Sequence, residues 1–508
     1  MMRRGRRRPR PRCALPRAWR RRFLGPAACS LLAGCVVGPN FRPPPAPTVT
    51  RYTRQEMPRS TVATPVAGGQ AQRFVPGADV PGRWWELFGS PQIDALVERA
   101  LRANPDLQTA QAALRVAREN FLAQRGALYP QVTAGLTTSR NKNSAAVAPP
   151  LASNAEYYGL STAQVSVSYT PDVFGAVRRQ IENASALEDD QRYQLEAAYL
   201  TLTTNVVVAA LQEASLRGQI SATERSIAID EEIVAGFERE RRFGQAALGD
   251  VVTQQAALAQ ARVLLPPLQK QLAQQQDLLA ALTGGVPSET PADSIRMEGL
   301  RLPTDLPLSL PSKLVEQRPD VRAAEANLHA ASALIGVAKA NRLPSFPLTA
   351  ALGSQSPDIP GLLSTDNSFW TVAAGVSQPV FAGGSLLHRE RGAIAAYDQA
   401  AAQYRSTVHV ALQNVADTLQ ALDIDAKALR VSAQAQEAAA RSLAIARQEF
   451  QMGELNSLAM LNAEQTNQLA VAALVQAQAA RYSDTVALFQ SLGGGWWNRG
   501  DVVAVGEK

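Results

Sequence analysis

Side chains able to do covalent, acid–base or metal chemistry are few in this sequence and badly placed for it. Its three cysteines, Cys13, Cys29 and Cys35, all precede the main body of the chain, which can therefore form no internal disulfide. The three histidines, His329, His388 and His409, do not have metal-ligand spacing. There is no glycine-rich phosphate loop, no nucleophile elbow and no histidine–carboxylate set at workable spacing. The expectation is a protein that is not an enzyme and holds no metal or cofactor, so any energy source lies in a partner. The one thiol in a suggestive setting is that of Cys35. It directly follows Leu32-Ala33-Gly34, small residues of the kind a peptidase needs beside its cleavage point.

Residues 1–22 form a basic n-region, and Phe23 to Gly34 form an apolar h-region. These 12 residues are too few to cross a bilayer as a helix, which takes about 20. Leu32-Ala33-Gly34-Cys35 resembles the bacterial lipobox. That resemblance implies a signal peptide over 1–34, cleavage before Cys35, diacylglycerol on its sulfur and palmitate on its new amino group. Val36 rather than an aspartate follows, so nothing argues for retention in the inner membrane. Arg20-Arg21-Arg22-Phe23-Leu24 also looks like a twin-arginine signal, but it reads more simply as part of the basic lead, whose length suggests a start codon placed too early. Eleven arginines and no acids precede Cys35. Without them the formal charge of +7 becomes 40 basic against 44 acidic residues, which argues against nucleic-acid binding.

Residues 35–83 are rich in proline and read as an extended, poorly packed strap leading from the lipid anchor. The sequence then repeats at an offset of 214 residues. Pro105-Asp106 matches Pro319-Asp320, and Pro130 matches Pro344. Each repeat opens with a helix carrying proline in its first turn, over 105–128 and 319–342. Residues of period two follow: Val132, Ala134, Leu136 and Thr138, then Leu160, Thr162, Val165, Val167 and Tyr169. In the second half, Leu348, Ala350 and Leu352 precede Trp370, Val372, Ala374 and Val376. The strands are expected at about 131–139, 158–170, 346–355 and 368–378, each long enough for a tilted membrane-spanning strand. Thr137, Ser139, Ser166, Ser168 and Ser377 are the residues expected toward water. Tyr157, Tyr158, Tyr169, Phe369 and Trp370 are expected near the membrane interfaces.

Two long proline-poor runs complete the halves, Gly175–Thr283 and Gly384–Leu492. Each reads as a helical hairpin, with tips at about 238–248 and 450–456. Gly175 to Arg241 spans roughly 100 Å as a helix, far beyond what a globular core needs. Four strands cannot close a barrel, and open sheet edges do not persist in lipid. Two copies supply eight strands and three supply twelve, and only the larger number leaves a usable lumen.

Several blocks in register resemble the outer-membrane efflux protein family, the TolC-like channels. Within it they resemble the lipoprotein subgroup that serves resistance-nodulation-division pumps. They are Cys35-Val-Val-Gly38-Pro39, Trp84-Trp85-Glu86-Leu87-Phe88, Arg318-Pro319-Asp320-Val321-Arg322, Ile335-Gly336-Val337-Ala338-Lys339-Ala340 and Leu492-Gly493-Gly494-Gly495-Trp496. The resemblance implies an α+β membrane protein. Three chains build a 12-stranded outer-membrane β-barrel continuous with a long periplasmic α-helical barrel, and each chain holds two internal structural repeats. The repeats would occupy 84–283 and 312–492, separated by a linker at 284–311 and followed by a tail at 493–508. The function implied is a passive exit duct for drugs or small solutes. Its partners would be two further copies, outer-membrane lipid, a periplasmic adaptor and an inner-membrane transporter. The tip residues Phe243, Gly244, Phe450 and Gly453 are the expected adaptor contacts. The family's tip aspartate is missing after Asn456-Ser457-Leu458. Ile445 and Glu449, one helical turn apart, stand where the family narrows its pore, with Asp423 and Asp425 as a second acidic candidate. Two other readings stay open: a duct for type I protein secretion, and a lipid-anchored periplasmic coiled-coil scaffold with no pore.

Overall fold

The computed structural model describes residues 36–144, 146, 156–289 and 295–500. Cys35, the leader and residues 501–508 lie outside them. The fold is mostly helical, with a small amount of sheet. In chain order the elements are β1 Arg73–Pro76, α1 Pro91–Ala103, α2 Pro105–Gly126, β2 Gln131–Lys142, β3 Tyr157–Tyr169, α3 Ala176–Arg242 and α4 Leu248–Leu282. There follow β4 Asp305–Leu308, α5 Pro311–Gln317, α6 Pro319–Ala340, β5 Leu348–Ser356, β6 Ser368–Ala374, α7 Ser385–Gln451 and α8 Ser457–Ser491. Helices at matching places in the two halves have equal lengths: 22 residues for α2 and α6, 67 for α3 and α7, and 35 for α4 and α8. Helix α4 continues through Pro266 and Pro267, although each proline removes a backbone donor. Among the described residues, no helix is long and apolar enough to cross a membrane.

The chain gathers into two compact units, and each draws on both halves of the sequence. One contains Phe121–Ala184, Ala330–Tyr397 and the N-terminal residues to Phe41. Its centre is an antiparallel sheet in the order β2-β3-β5-β6. Strand bounds differ from expectation mainly in β5 and β6, where the ladder starts at Leu348 and ends at Ala374. Pro347 has no N–H to give Gly375, although Gly375 still donates to the Pro347 carbonyl at 2.9 Å. Pairing resumes in the same register as a bridge between Ser345 and Ser377. The start of the strap docks in this unit. Val37 N–H donates to the Phe174 carbonyl at 3.1 Å. The Arg179 guanidinium donates to the Val37 carbonyl at 3.3 Å and to Asn40 Oδ1 at 2.8 Å. Gly38 sits at φ +102°, and a Cβ there would stand 2.4 Å from Gly336 Cα. The two backbones touch, so neither glycine can carry a side chain.

The other unit holds Arg42–Asn120, Ser185–His329 and Asp398–Lys508. Here the strap from Thr61 on is folded rather than poorly packed, whereas residues 42–59 form no helix or strand and bury no side chain. β1 pairs in parallel with β4, and Thr61, Gln72, Phe74 and Val80 are buried. Arg481 of α8, wholly buried, donates to Thr61 Oγ1 at 2.9 Å and to the Gln70 carbonyl at 2.6 Å. Gln72 Nε2 donates to Thr485 Oγ1 at 2.9 Å. Trp84 stacks on Phe489 with centroids 5.5 Å apart, beside Trp85 and Phe88. The expected linker 284–311 contains β4 and buries Ile295, Met297, Leu302 and Leu306, so its described part belongs to the core. The described part of the tail is docked as well. Trp496 Nε1 donates to the Gln317 carbonyl at 2.7 Å, and Arg499 pairs with Glu196 at 2.8 Å.

Candidate functional site

The sheet register sorts the strand residues into two faces. Gln131 pairs with Ser168, Tyr169 with Leu348, and Leu348 with Ala374, and each ladder is free of bulges. Side chains alternate along a strand, so directly paired residues share a face. One face collects Val132, Ala134 and Leu136 of β2, Val165 and Val167 of β3, Leu348 and Leu352 of β5, and Trp370 and Val372 of β6. These large apolar groups are open in the single chain: Leu136 and Leu352 are each 64% exposed, Val372 73% and Trp370 75%. The opposite face carries Thr133, Thr137, Gln164, Ser166, Thr349 and Thr371. Thr133 Oγ1 and Ser166 Oγ share a 2.8 Å hydrogen bond there.

All five residues expected toward water keep the phase of this polar face. Two details of the sequence reading change. Leu160 and Thr162 sit on the polar face, because the unbroken ladder puts Ser161 and Ala163 on the apolar one. The strand-end aromatics also divide. Tyr157, Tyr169 and Trp370 are on the apolar face, and Tyr158 and Phe369 are on the other. Among the described residues, the outermost strands, β2 and β6, each have a partner on one side only.

The hairpin tips are shorter than expected, spanning 243–247 and 452–456. At the first, Gly244 lies at φ +73°, its N–H donates to the Arg241 carbonyl, and Gln245 N–H donates to the Glu240 carbonyl at 2.9 Å. Gly453 at φ +77° repeats this, with Glu454 N–H donating to the Glu449 carbonyl at 2.9 Å. This is the left-handed helix end that glycine adopts with least strain. No heavy atom lies within 4 Å of where either Cβ would stand, so backbone handedness, not crowding, calls for glycine. Phe243 is 79% exposed, whereas Phe450 is half-buried and packs on Phe237 with centroids 5.2 Å apart. Only the first of the two expected docking aromatics stands clear. Asn456 accepts from Ala459 N–H at 2.8 Å and caps α8, while Ala247 leaves α4 without a side-chain cap.

The four gate candidates are in different surroundings. Ile445 is exposed and Glu449 is half-buried on the same helix. Asp423 and Asp425 cannot line one ring, because two residues apart on a helix they diverge by about 200°. Asp423 pairs with Lys427 at 2.6 Å. Asp425 faces Asp484 of α8. Burial, then a hydrogen bond and the charge of Asp425, push the Asp484 carboxyl up to about 7.

A second carboxyl pair joins three helices and gave no sign in the sequence, since its members are far apart in the chain. Glu464 of α8, buried, pairs with Arg447 of α7 at 2.9 Å. Asp230 of α3, also buried, hydrogen-bonds to Glu464. Burial first, then the Glu464 charge, lift the Asp230 carboxyl to about 7 against the opposing pull of Arg447. Among the described residues, no group of His, Cys, Asp and Glu is arranged to hold a metal.

The sequence profile of the family described as outer membrane efflux protein matches residues 96–285 and 310–494. The chain is 28% identical over 470 residues to the probable efflux pump outer membrane protein TtgC of Pseudomonas putida, covering 92% of this chain and 94% of that one. It is 30% identical over 451 residues to the outer membrane protein OprJ of Pseudomonas aeruginosa, covering 87% and 92%. The solved outer-membrane channel OprN matches with a TM-score of 0.79 at 28% identity, over 91% of this chain and 100% of that chain. The open-state MtrE outer membrane channel of Neisseria gonorrhoeae, at 24% identity and a TM-score of 0.76, shares the fold. These relatives are outer-membrane proteins and channels, not enzymes. The exposed apolar sheet face, the long paired helices and the profile match agree: the chain belongs to the outer membrane efflux protein family.

Proposed function

We propose that three copies of this chain form the passive outer-membrane exit duct of a tripartite efflux pump. Twelve strands would make one barrel in the outer membrane, continuous with a helical tunnel through the periplasm. The observation that carries this reading is the four-stranded sheet with one exposed apolar face and two half-paired edges. Lipid covers such a face, and neighbouring copies of the same sheet satisfy the edges. A relative named as a toluene efflux pump outer membrane protein supports small solutes rather than proteins as cargo. Cys35 would carry the acyl chains, and the docked Val37 and Gly38 support an anchor held at the sheet's own unit. A periplasmic adaptor would engage the tips at Phe243, Gly244, Phe450 and Gly453. The transporter of the resistance-nodulation-division class would supply energy from the inner membrane. Ile445 and Glu449 would narrow the pore until the adaptor engages.

Light scattering in mild detergent should give the mass of three chains, and planar bilayers should show a mostly closed pore whose ion preference changes with Glu449→Ala. A single-chain mass without β signal would remove the duct, and unchanged conductance in the variant would remove the gate.

A further inference from the structure

The water-side face of the sheet has a property that the duct reading does not require. It comprises six positions on β2, six on β3, four on β5 and three on β6, and none carries an Asp, Glu, Lys, Arg or His. At the chain's 19% content of charged residues, several would be charged by chance. The only charged residues in the four strands, Arg140 and Lys142, fall on the opposite face near the far end of β2. Hydroxyls and amides dominate instead, as in Thr133, Gln164, Ser166, Gln355 and Thr371, and some bond to each other across strands.

We infer that the barrel section of the duct is a wall without a charge filter, lined by hydroxyl and amide groups, which passes cationic, anionic and neutral solutes alike. This rests on the duct reading. Charge selection of cargo then belongs to the helical section or to partners. Three copies multiply any lumen charge into a ring, so even one ionised residue per chain would be felt. A ring potential of one kT raises one sign of ion and lowers the other, for a ratio of about sevenfold. Uncharged dipoles solvate either sign by turning one end or the other toward it.

Introduced cysteines test this, because the sequence has none after Cys35, whose sulfur the lipoprotein reading acylates and so removes from thiol chemistry. Ser166→Cys and Thr371→Cys place a near-isosteric thiol on the water face of two strands, and Val165→Cys places one on the apolar face. Trimers in phospholipid vesicles are treated with a trimethylammonium or a sulfonate methanethiosulfonate, and rates are normalised to those with 2-mercaptoethanol. The expected result is reaction of the thiols at positions 166 and 371 with both reagents, at normalised rates within about fivefold, and none at position 165. A preference above fivefold for one sign at both positions overturns the uncharged wall and leaves the duct intact. Reaction at 165 with silence at 166 and 371 overturns the face assignment, and the duct reading with it.

Discussion

Asp230→Asn is the substitution that most directly probes how the long helices are held together. Asp230 of α3 is buried against Glu464 of α8, which pairs with Arg447 of α7. It lies about 20 Å along α3 from the tip glycine Gly244. Its carboxyl rises from 3.8 to about 7, chiefly through burial and then through the Glu464 charge. Below about pH 4 the group is protonated whether the helices are packed or open, and it makes no difference to their stability. Between about pH 4 and 7 the opened helix lets the carboxyl ionise while the packed one holds its proton, so packing weakens as pH rises. Above about 7 both states are ionised and the full cost persists, on the order of 2–4 kcal/mol at about 1.4 kcal/mol per pH unit. Asparagine mimics the protonated carboxyl and keeps a donor for Glu464 but cannot ionise. Hydrogen–deuterium exchange over 222–242 and 457–470, expressed as protection factors at pH 5 and pH 8, reads this locally. The native chain should lose protection by about tenfold or more at the higher pH, and Asp230→Asn should stay nearly level. Parallel loss in both proteins would refute the carboxyl pair as the cause.

Other substitutions have equally direct outcomes. Gly38→Ala, with its Cβ 2.4 Å from Gly336 Cα and φ at +102°, should cost at least about 2 kcal/mol of strap docking, visible as rapid proteolysis near Arg42. Val165→Lys puts a charge on the apolar sheet face and should cost about 2–4 kcal/mol and, on the three-copy reading, the oligomeric mass in detergent, whereas Ser166→Lys next to it should keep that mass. Asn456→Ala removes the cap on Ala459 N–H and should lower stability at the second tip by about 1 kcal/mol, while Ala247→Asn should strengthen the first, both read by exchange at the tip amides.

The parts of the fold set by local periodicity were legible in the sequence. Apolar side chains on alternate residues gave the faces of β2, β5 and β6 correctly, and the absence of proline gave the reach of α3 and α7. In β3 the pattern misled, because Ser161 and Ala163 are small residues on the apolar face while Leu160 occupies the polar one. A single leucine outweighs two small residues in any hydropathy reading, but only the ladder sets the phase. The second part of the strap, from Thr61 on, was misread for a different reason. Its prolines do signal extended chain, yet Gln72 and Thr61 are fixed by Thr485 and Arg481, more than 400 residues away, and no local pattern records those bonds. The buried pair Asp230–Glu464 was invisible for the same reason: each acid alone looks like an ordinary solvated helix residue.

Those distant contacts also decide which acid is free to act in a pore. A carboxylate that selects ions must be ionised and turned to water, so one that already serves its own fold is a poor candidate. Asp423 is neutralised by Lys427 one turn on, and Asp425 is engaged with Asp484 in a pair that holds a proton near neutral pH. Asp230 and Glu464 are buried together. Among the described residues, Glu449 has no side-chain partner, and it stands half-exposed one turn from Ile445 and next to the tip. Among the described residues, Glu240 and Glu454 nearer the tips are also without a side-chain partner and are more exposed. Glu449 differs from them in standing one turn from Ile445, and in a three-copy duct it would form a ring of three beside an apolar one.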